Sequence, residues 1–224
     1  MSDSTEIALT AIKEDGYRLG DFQALRYDPK SGQFPEDFLA QLYFLSKDCR
    51  RRSGDGVLSA LFGGNPESTF DAIVTYLASH PLIVMGRWTE NGFIPMGYAF
   101  VAIFCGTPAT ELAAFCGYTI FRESWGKEEG RILSILGLTA LFQEFNLVAI
   151  HGIRYEENLL TKRFTERFGF REVGRIPHYQ LKDGKLVPGV VSTLLRADFE
   201  TYLEKFLIEV HEAQEADRQA EFPF

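Results

Sequence analysis

Three side chains in this sequence are candidates for accepting a proton at a reacting group. His151, Glu111 and His178 are candidate general bases, because an imidazole or a carboxylate with a pKa near neutrality can take up a proton. His151 comes first among them, since it alternates with Ala149 and Ile153 in a predicted strand. The structural alternative remains open for His151: a strand histidine that is simply satisfied by hydrogen bonds.

The start of a long predicted helix is a second chemical feature. The residues 125–127, Trp-Gly-Lys, come just before it, and the free N–H groups and positive dipole end of a helix start attract anions. Gly126 and Gly130 are small enough to let an anionic group approach the backbone. Gly130 also forms a stripe of small residues with Ser134 and Gly137, and for these last two we favour close helix–sheet packing.

Hydrophobic periodicity predicts the elements that must hold these residues. Asn91-Gly92 and Asp183-Gly184 are hairpin signals, Gly169 is a left-handed helix cap, and Asp198 caps the last helix. The predicted strands are 22–27, 82–88, 93–104, 112–121, 147–153, 171–181 and 187–195, and the predicted helices are 35–48, 67–79, 127–145, 158–168 and one after 198. Clustered strands followed by strand–helix–strand predict an α/β (α+β) fold, a mixed sheet with helices on both faces, antiparallel around the first hairpin and parallel across helix 127–145.

Length, charge and cysteine content limit the class of protein. The 224 residues suit a single domain with a core of about 22–209, a polar N-terminal segment 1–20 and a charged tail 210–224. A net charge of −8 disfavours nucleic acid and anionic membrane as partners. The 3 cysteines lack metal-ligand spacing and favour reduced thiols in the cytoplasm. No secretory signal or membrane-spanning run is recognised.

Two stretches resemble the GNAT superfamily of N-acetyltransferases, over roughly residues 82–200. Gly117-Tyr118-Thr119-Ile120, followed by the residues 125–127 before a long helix, resembles the cofactor segment of the family. Asn158-Leu-Leu-Thr161, with the glutamate, Gly169-Phe170 and glycine that follow, resembles its second signature. Together with the ending after Asp183-Gly184, these stretches look most like the branch that acetylates the N-termini of ribosomal proteins.

The resemblance implies that acetyl-CoA is the acyl donor and a primary amine the acceptor, with direct attack in a ternary complex and no metal. The CoA amides would pair with a free strand edge at 116–121, beside strand 147–153, where two parallel strands part. A backbone N–H of that edge would polarise the thioester carbonyl. The implied cofactor-binding residues are Cys116, Gly117, Tyr118, Thr119, Ile120, Phe121, Arg122, Trp125, Gly126, Lys127, Gly130, Arg131, Asn158 and Thr161.

The sequence departs from the family pattern at two places. Glu123 and Glu128 stand at the first and last positions of the phosphate loop, where the family has a glutamine or arginine and a small residue. Thr165 stands where many relatives have the tyrosine that protonates the departing thiolate, and Tyr155 is the candidate substitute. Asn158 itself has an alternative role, since asparagine is a good N-cap without any ligand.

Two alternatives to an N-acetyltransferase remain open. The departures favour a catalytically degenerate module of the same fold that binds acyl-CoA or a protein partner. The second alternative is a related transferase that moves a longer acyl group or an aminoacyl group. The expected acceptor is a peptide N-terminus or a small molecule. We expect the segments 53–68 and 171–187 to build its site. The resemblance is also compatible with a homodimer.

Overall fold

The computed structural model describes residues 16–53, 69–106, 112–182 and 185–221. Within these ranges one sheet of eight strands runs through the molecule in the order β1-β2-β3-β4-β5-β6-β8-β7. Its strands are β1 (Arg18–Leu19), β2 (Phe22–Arg26), β3 (Leu82–Thr89), β4 (Gly92–Cys105), β5 (Leu112–Ile120), β6 (Leu147–Tyr155), β7 (Arg171–Lys182) and β8 (Lys185–Leu195). The helices are α1 (Phe38–Ser53), α2 (Thr69–Ser79), α3 (Glu128–Glu144), α4 (Leu159–Arg167) and α5 (Arg196–Glu221).

The predicted mixed sheet is confirmed. Neighbouring strands pair antiparallel throughout the described sheet except β5 and β6, which are parallel. This exception follows from the chain path, because α3 is the crossover between β5 and β6 and a parallel pair requires one. The Asn91-Gly92 hairpin is also as predicted: Thr89 pairs with Gly92, whose φ of 107° suits glycine.

Helices cover both faces of the sheet. On one face α3 and α5 bury an apolar core around Ile135, Leu136 and Phe199, to which Phe168 adds its ring just after α4. On the other face, α1 and α2 pack Leu42 and Leu77 against the aromatic rings of β4. The strand pair β5–β6 therefore lies between two cores, and its outer edges are paired with β4 and β8.

The last helix differs from the prediction at both ends. It begins at Arg196, so Asp198 lies inside the first turn and does not cap it. The Arg196 guanidinium fixes this start by donating to the carbonyls of Phe142 and Leu147, both at 2.6 Å, while Asp198 accepts a bond from Arg171 at 3.0 Å. The helix then continues to Glu221, well into the predicted tail, since its Ala, Glu and Gln residues favour a helix.

Other predictions differ little or lie outside the described ranges. The short strand β1 was not predicted, and β6 continues two residues past its predicted end at Ile153. Gly169 has the expected left-handed backbone after α4, with a φ of 84°. Glu111, the turn 183–184 and most of the segment 53–68 lie outside the described residues.

Candidate functional site

The parallel strands β5 and β6 part from each other halfway along their length. Their pairing runs from Leu112 with Leu147 to Phe115 with His151 and then stops, although both strands continue. Beyond that point β5 stays paired with β4 and β6 with β8, so only the facing edges are open. The predicted gap between these strands is therefore present, and backbone groups of residues 116–120 line one side of it.

A cavity of 420 Å³ occupies this gap. It brings together most of the residues proposed from sequence, which come from β5, the turn after it, α3 and α4. Phe121 and Arg122 do not line it, because Phe121 is buried in the core on the α1 face and Arg122 begins the short 3-10 turn Arg122–Ser124. Those that do line it are Cys116, Gly117, Tyr118, Thr119, Ile120, Trp125, Gly126, Lys127, Gly130, Arg131, Asn158 and Thr161.

The start of α3 opens at one end of the cavity. Lys127 is the N-cap residue in an extended conformation, and its side chain makes no capping bond, so the first helical N–H groups depend on other partners. Gly126 has a φ of 69° and would direct a Cβ into open space, so its backbone conformation is what requires glycine. Gly130 is required for a different reason, since a Cβ there would overlap the Ser124 carbonyl.

The acidic residues around this helix start are either ion-paired or exposed. Glu128 pairs with Arg131 at 3.5 Å and Glu129 with Arg87 at 3.6 Å, and neither glutamate lines the cavity. Glu123 is exposed on the 3-10 turn. None of these three carboxylates therefore belongs to the cavity wall, although Glu128 pairs with Arg131, which does.

The charged side chains in the mainly apolar wall of the cavity, within the described residues, are all basic. Among the described residues that line it, five are basic and none is acidic, although the chain as a whole carries a charge of −8. Two of the five are already paired, Arg131 with Glu209 at 2.6 Å and Arg154 with Glu172. Lys127, Arg163 and Arg167 have no ion pair within the described ranges. The local potential therefore favours an anionic ligand.

Two buried polar atoms in the wall lack a hydrogen-bond partner within the described part of the chain: the Ser124 hydroxyl oxygen and Nε of Arg154. Arg154 is 6% exposed and donates to the carbonyls of Tyr155 and Glu156, both at 3.1 Å, which braces the turn between β6 and α4. Because a buried unsatisfied polar atom costs about 1–3 kcal/mol, a ligand that accepts these bonds would be favoured.

His151 lies at the closed end of the gap. Its Nδ1 is 2.8 Å from the Thr193 hydroxyl and its ring centroid is 5.0 Å from that of Phe115. Burial lowers the pKa of His151, so the imidazole is neutral at neutral pH. In the tautomer with the proton on Nδ1, that nitrogen donates to Thr193 and Nε2 is left as an acceptor.

The other two candidate bases lie elsewhere. His178 is exposed on β7 and does not line the cavity, and Glu111 is outside the described residues. Tyr155 does line the cavity, at the far end of β6, and is 4% exposed, with its ring 6.2 Å from that of Tyr179.

Two polar side chains at α4 form hydrogen bonds with the backbone of that helix. The Asn158 side chain accepts a hydrogen bond from the Thr161 amide at 3.0 Å and so caps α4, as the structural alternative predicted. Asn158 also lines the cavity, so capping fixes its place at the wall. The Thr165 hydroxyl donates to the Lys162 carbonyl at 2.9 Å, which commits its proton to the helix.

Comparison with known proteins shows the fold. RimJ of Mycobacterium smegmatis in complex with CoA-disulfide superimposes with a TM-score of 0.61 at 14% identity, over 85% of this chain and 89% of that one. A variant of spermidine N-acetyltransferase from Vibrio cholerae gives 0.58 at 15% identity, over 81% and 97%. The acetyltransferase of GNAT family from Streptococcus pneumoniae gives 0.52 at 15% identity, over 78% and 99%. The fold is that of the GNAT acetyltransferases. No family model and no curated protein matches the sequence.

Sequence reasoning missed many residues of the cavity in this GNAT fold, and the ones that bear on ligand binding are Ser124, Arg154, Arg163 and Arg167. Arg163 and Arg167 carried a readable signal, because they are four residues apart on the same predicted helix as Asn158. Arg154 lay just beyond the predicted end of its strand. The unpartnered hydroxyl of Ser124 has no signal in the sequence.

The described residues contain no group of three or more His, Cys, Asp or Glu placed to hold a metal ion. None of the described helices is both long enough and apolar enough to span a bilayer.

Proposed function

We propose that this chain is an N-acetyltransferase that transfers an acetyl group from acetyl-CoA to a primary amine, by direct attack in a ternary complex. The observation that carries the proposal is the cavity where β5 and β6 part, with five basic side chains and no acidic one among the described residues of its wall. CoA combines anionic phosphates with a chain of amides, and this wall offers cations and free strand edges. The two unpartnered atoms, the Ser124 hydroxyl and Arg154 Nε, fit a ligand rich in acceptors.

The donor would lie along β5. Its pyrophosphate would meet the α3 start at Gly126, Lys127 and the Ser124 hydroxyl, since helix N–H groups bind phosphate well. Its pantetheine amides would pair with the open backbone of residues 116–120, as an added strand pairs with a sheet edge. The remaining cofactor residues that line the cavity flank this path: Trp125, Gly130, Arg131, Asn158 and Thr161. Phe121 and Arg122 lie outside the cavity wall and are no longer part of the proposed donor site.

Cys116 takes no covalent part in this scheme. Burial, with a smaller contribution from Cys105, raises the pKa of the Cys116 thiol to about 12. The thiolate is the nucleophilic form, so this thiol is inert near neutral pH. Direct attack by the acceptor amine is therefore favoured over an acyl-cysteine intermediate.

His151 is the proposed base. The neutral imidazole would take a proton from the acceptor ammonium, directly or through water, and the free amine would attack the thioester carbonyl. The C–S bond then breaks, CoA leaves as a thiolate, and a proton returned to sulfur completes the products, an amide and CoA. Tyr155 is the proposed source of that proton, because the Thr165 hydroxyl is bonded to its own helix. Glu111 is a further candidate base.

The acceptor is proposed by analogy to the solved structures. A ribosomal-protein-S5-alanine acetyltransferase from Vibrio fischeri and the spermidine enzyme share the fold, and their names point to two kinds of amine. We accordingly propose a peptide N-terminus or a small amine as the acceptor, bound beside β7, which contributes Tyr179 to the cavity wall. We further propose a single-domain protein in a reducing cytoplasm, a compartment that suits the free Cys105 and Cys116. The proposal is compatible with a homodimer and includes no nucleic-acid or membrane partner.

Filling the cavity tests donor binding without unfolding the chain. Gly152 lines the cavity and a Cβ there would contact nothing within 4 Å, so Gly152→Val adds an isopropyl group to the open gap. Gly174→Val on β7 is the matched control, since its Cβ position is equally open and lies away from the cavity. Acetyl-CoA at about 1,000 times its dissociation constant should stabilise the wild type and Gly174→Val by about 4 kcal/mol, and Gly152→Val much less.

Thiol release then tests transfer. With acetyl-CoA and a library of peptide and small-molecule amines, the wild type should release free CoA in step with amide formation. A thermal shift with no thiol release from any amine would favour the acyl-CoA-binding module. No shift with any CoA thioester would end the proposal.

A further inference from the structure

Two arginines on α4 face the cavity without any compensating charge. Arg163 and Arg167 both line it, both are exposed, and neither has an ion pair within the described residues. They are four residues apart, which places them on one face of the helix. This pair, called here the α4 arginine pair, is separate from the helix start at Gly126 and from the two paired arginines of the wall.

The helix has an acid that would neutralise this pair, and it is used elsewhere. Glu166 forms an ion pair at 3.6 Å with Lys162, which does not line the cavity. Like charges at this spacing repel each other and weaken an isolated helix. Arg167 gains from its place in the last turn, near the negative end of the helix dipole, but Arg163 in the middle does not. An anion bound between the two guanidinium groups would remove the repulsion.

The donor of the proposed function carries a suitable anion. CoA has its pyrophosphate and, separately, a phosphate on the ribose 3′ oxygen that is close to doubly charged at neutral pH. The α3 start takes the pyrophosphate, so the 3′-phosphate is left to a second basic site. Guanidinium groups suit it, because their planar donors bind phosphate oxygens in pairs.

Resting on the proposed function, we propose that the α4 arginine pair binds the 3′-phosphate of the donor and selects CoA thioesters over their dephospho forms. The selectivity comes from charge at an exposed site. It should therefore shrink as salt screens the interaction.

Calorimetric titration with CoA and with 3′-dephospho-CoA tests this selection. The wild type should bind CoA about tenfold more tightly than dephospho-CoA at low salt, as expected for exposed charge pairs with a dianion. The double variant Arg163→Gln/Arg167→Gln should bind the two compounds equally, by losing affinity for CoA alone. Lys205→Gln, which removes an exposed charge on α5 outside the cavity and leaves the Lys162–Glu166 pair intact, should keep the wild-type ratio.

The outcomes separate this inference from the proposed function. Equal binding of the two compounds by the wild type, or an unchanged ratio in the double variant, overturns the arginine pair while donor binding stands. A double variant that loses affinity for both compounds by the same factor also overturns it, since that pattern reports a damaged helix. Binding of neither compound by the wild type overturns both proposals.

Discussion

Gly137 lies where α3 crosses the sheet, directly above β3 and β5. A Cβ at this position would overlap the Met85 sulfur and lie 2.8 Å from the Tyr118 hydroxyl. Both neighbours are held in place: Met85 is 0% exposed, and the Tyr118 hydroxyl donates to the Leu133 carbonyl at 3.2 Å. Burial also raises the pKa of Tyr118, so this hydroxyl keeps its proton and needs the bond. We predict that Gly137→Ala destabilises the protein, although alanine is the better helix former.

The magnitude follows from three contributions. Overpacking a close-packed core costs about 1–3 kcal/mol, and leaving the Tyr118 hydroxyl without its acceptor costs about 1–3 kcal/mol more. Replacing glycine by alanine inside a helix returns about 1 kcal/mol. The expected net loss is about 3 kcal/mol, which lowers Tm by about 6–12 °C for a domain of this size.

Thermal and denaturant unfolding of Gly137→Ala measure this loss, with Gly174→Ala as the control. The control adds the same methyl group where nothing lies within 4 Å, so its Tm should stay within about 2 °C of the wild type. Gly137 does not line the cavity, so the stabilisation by acetyl-CoA should survive in Gly137→Ala. An unchanged or higher Tm for Gly137→Ala would refute the packing role, and a specific loss of the ligand response would point instead to a binding role.

Three further predictions concern the cavity wall. Asn158→Ala should cost about 1 kcal/mol, because the Thr161 amide loses its cap, while Asn158→Asp should retain most of it; equal Tm values for the two variants would contradict the cap. The Cys116 thiol should react with iodoacetamide at pH 8 about a hundredfold more slowly than free cysteine, given its pKa of about 12; labelling at the free rate, read by mass spectrometry, would count against its burial. The pKa of His151 is lowered in the folded protein, so as pH falls the unfolded chain takes up a proton on this imidazole before the folded chain does. The free energy of unfolding should therefore be highest above the ordinary pKa of 6.5 and should decrease as pH falls below it. His151→Gln should flatten this part of the stability profile, and an unchanged slope would show that His151 is not its source.

The order and type of the elements followed from the sequence, because local patterns largely decide them. Apolar residues at helical spacing place α3 within a residue of its predicted limits, and Asn91-Gly92 fixes the hairpin between β3 and β4. Twelve of the fourteen cofactor-binding residues proposed from the sequence line one cavity. Sequence-adjacent residues stay adjacent in the fold, so a motif carries its own local geometry.

Which side chains pair with each other around the cavity depends on the tertiary structure. The pairing of Glu128 with Arg131 is local, three residues apart on α3, but the other partner of Arg131 is Glu209, which lies far along the sequence on α5. Arg154 likewise meets Glu172 from another strand and becomes a buried brace. Pairings between distant elements depend on distances that no local sequence pattern encodes. The gap between β5 and β6, in contrast, was predicted from the sequence, because the crossover helix and the two motif stretches are each continuous segments of the chain.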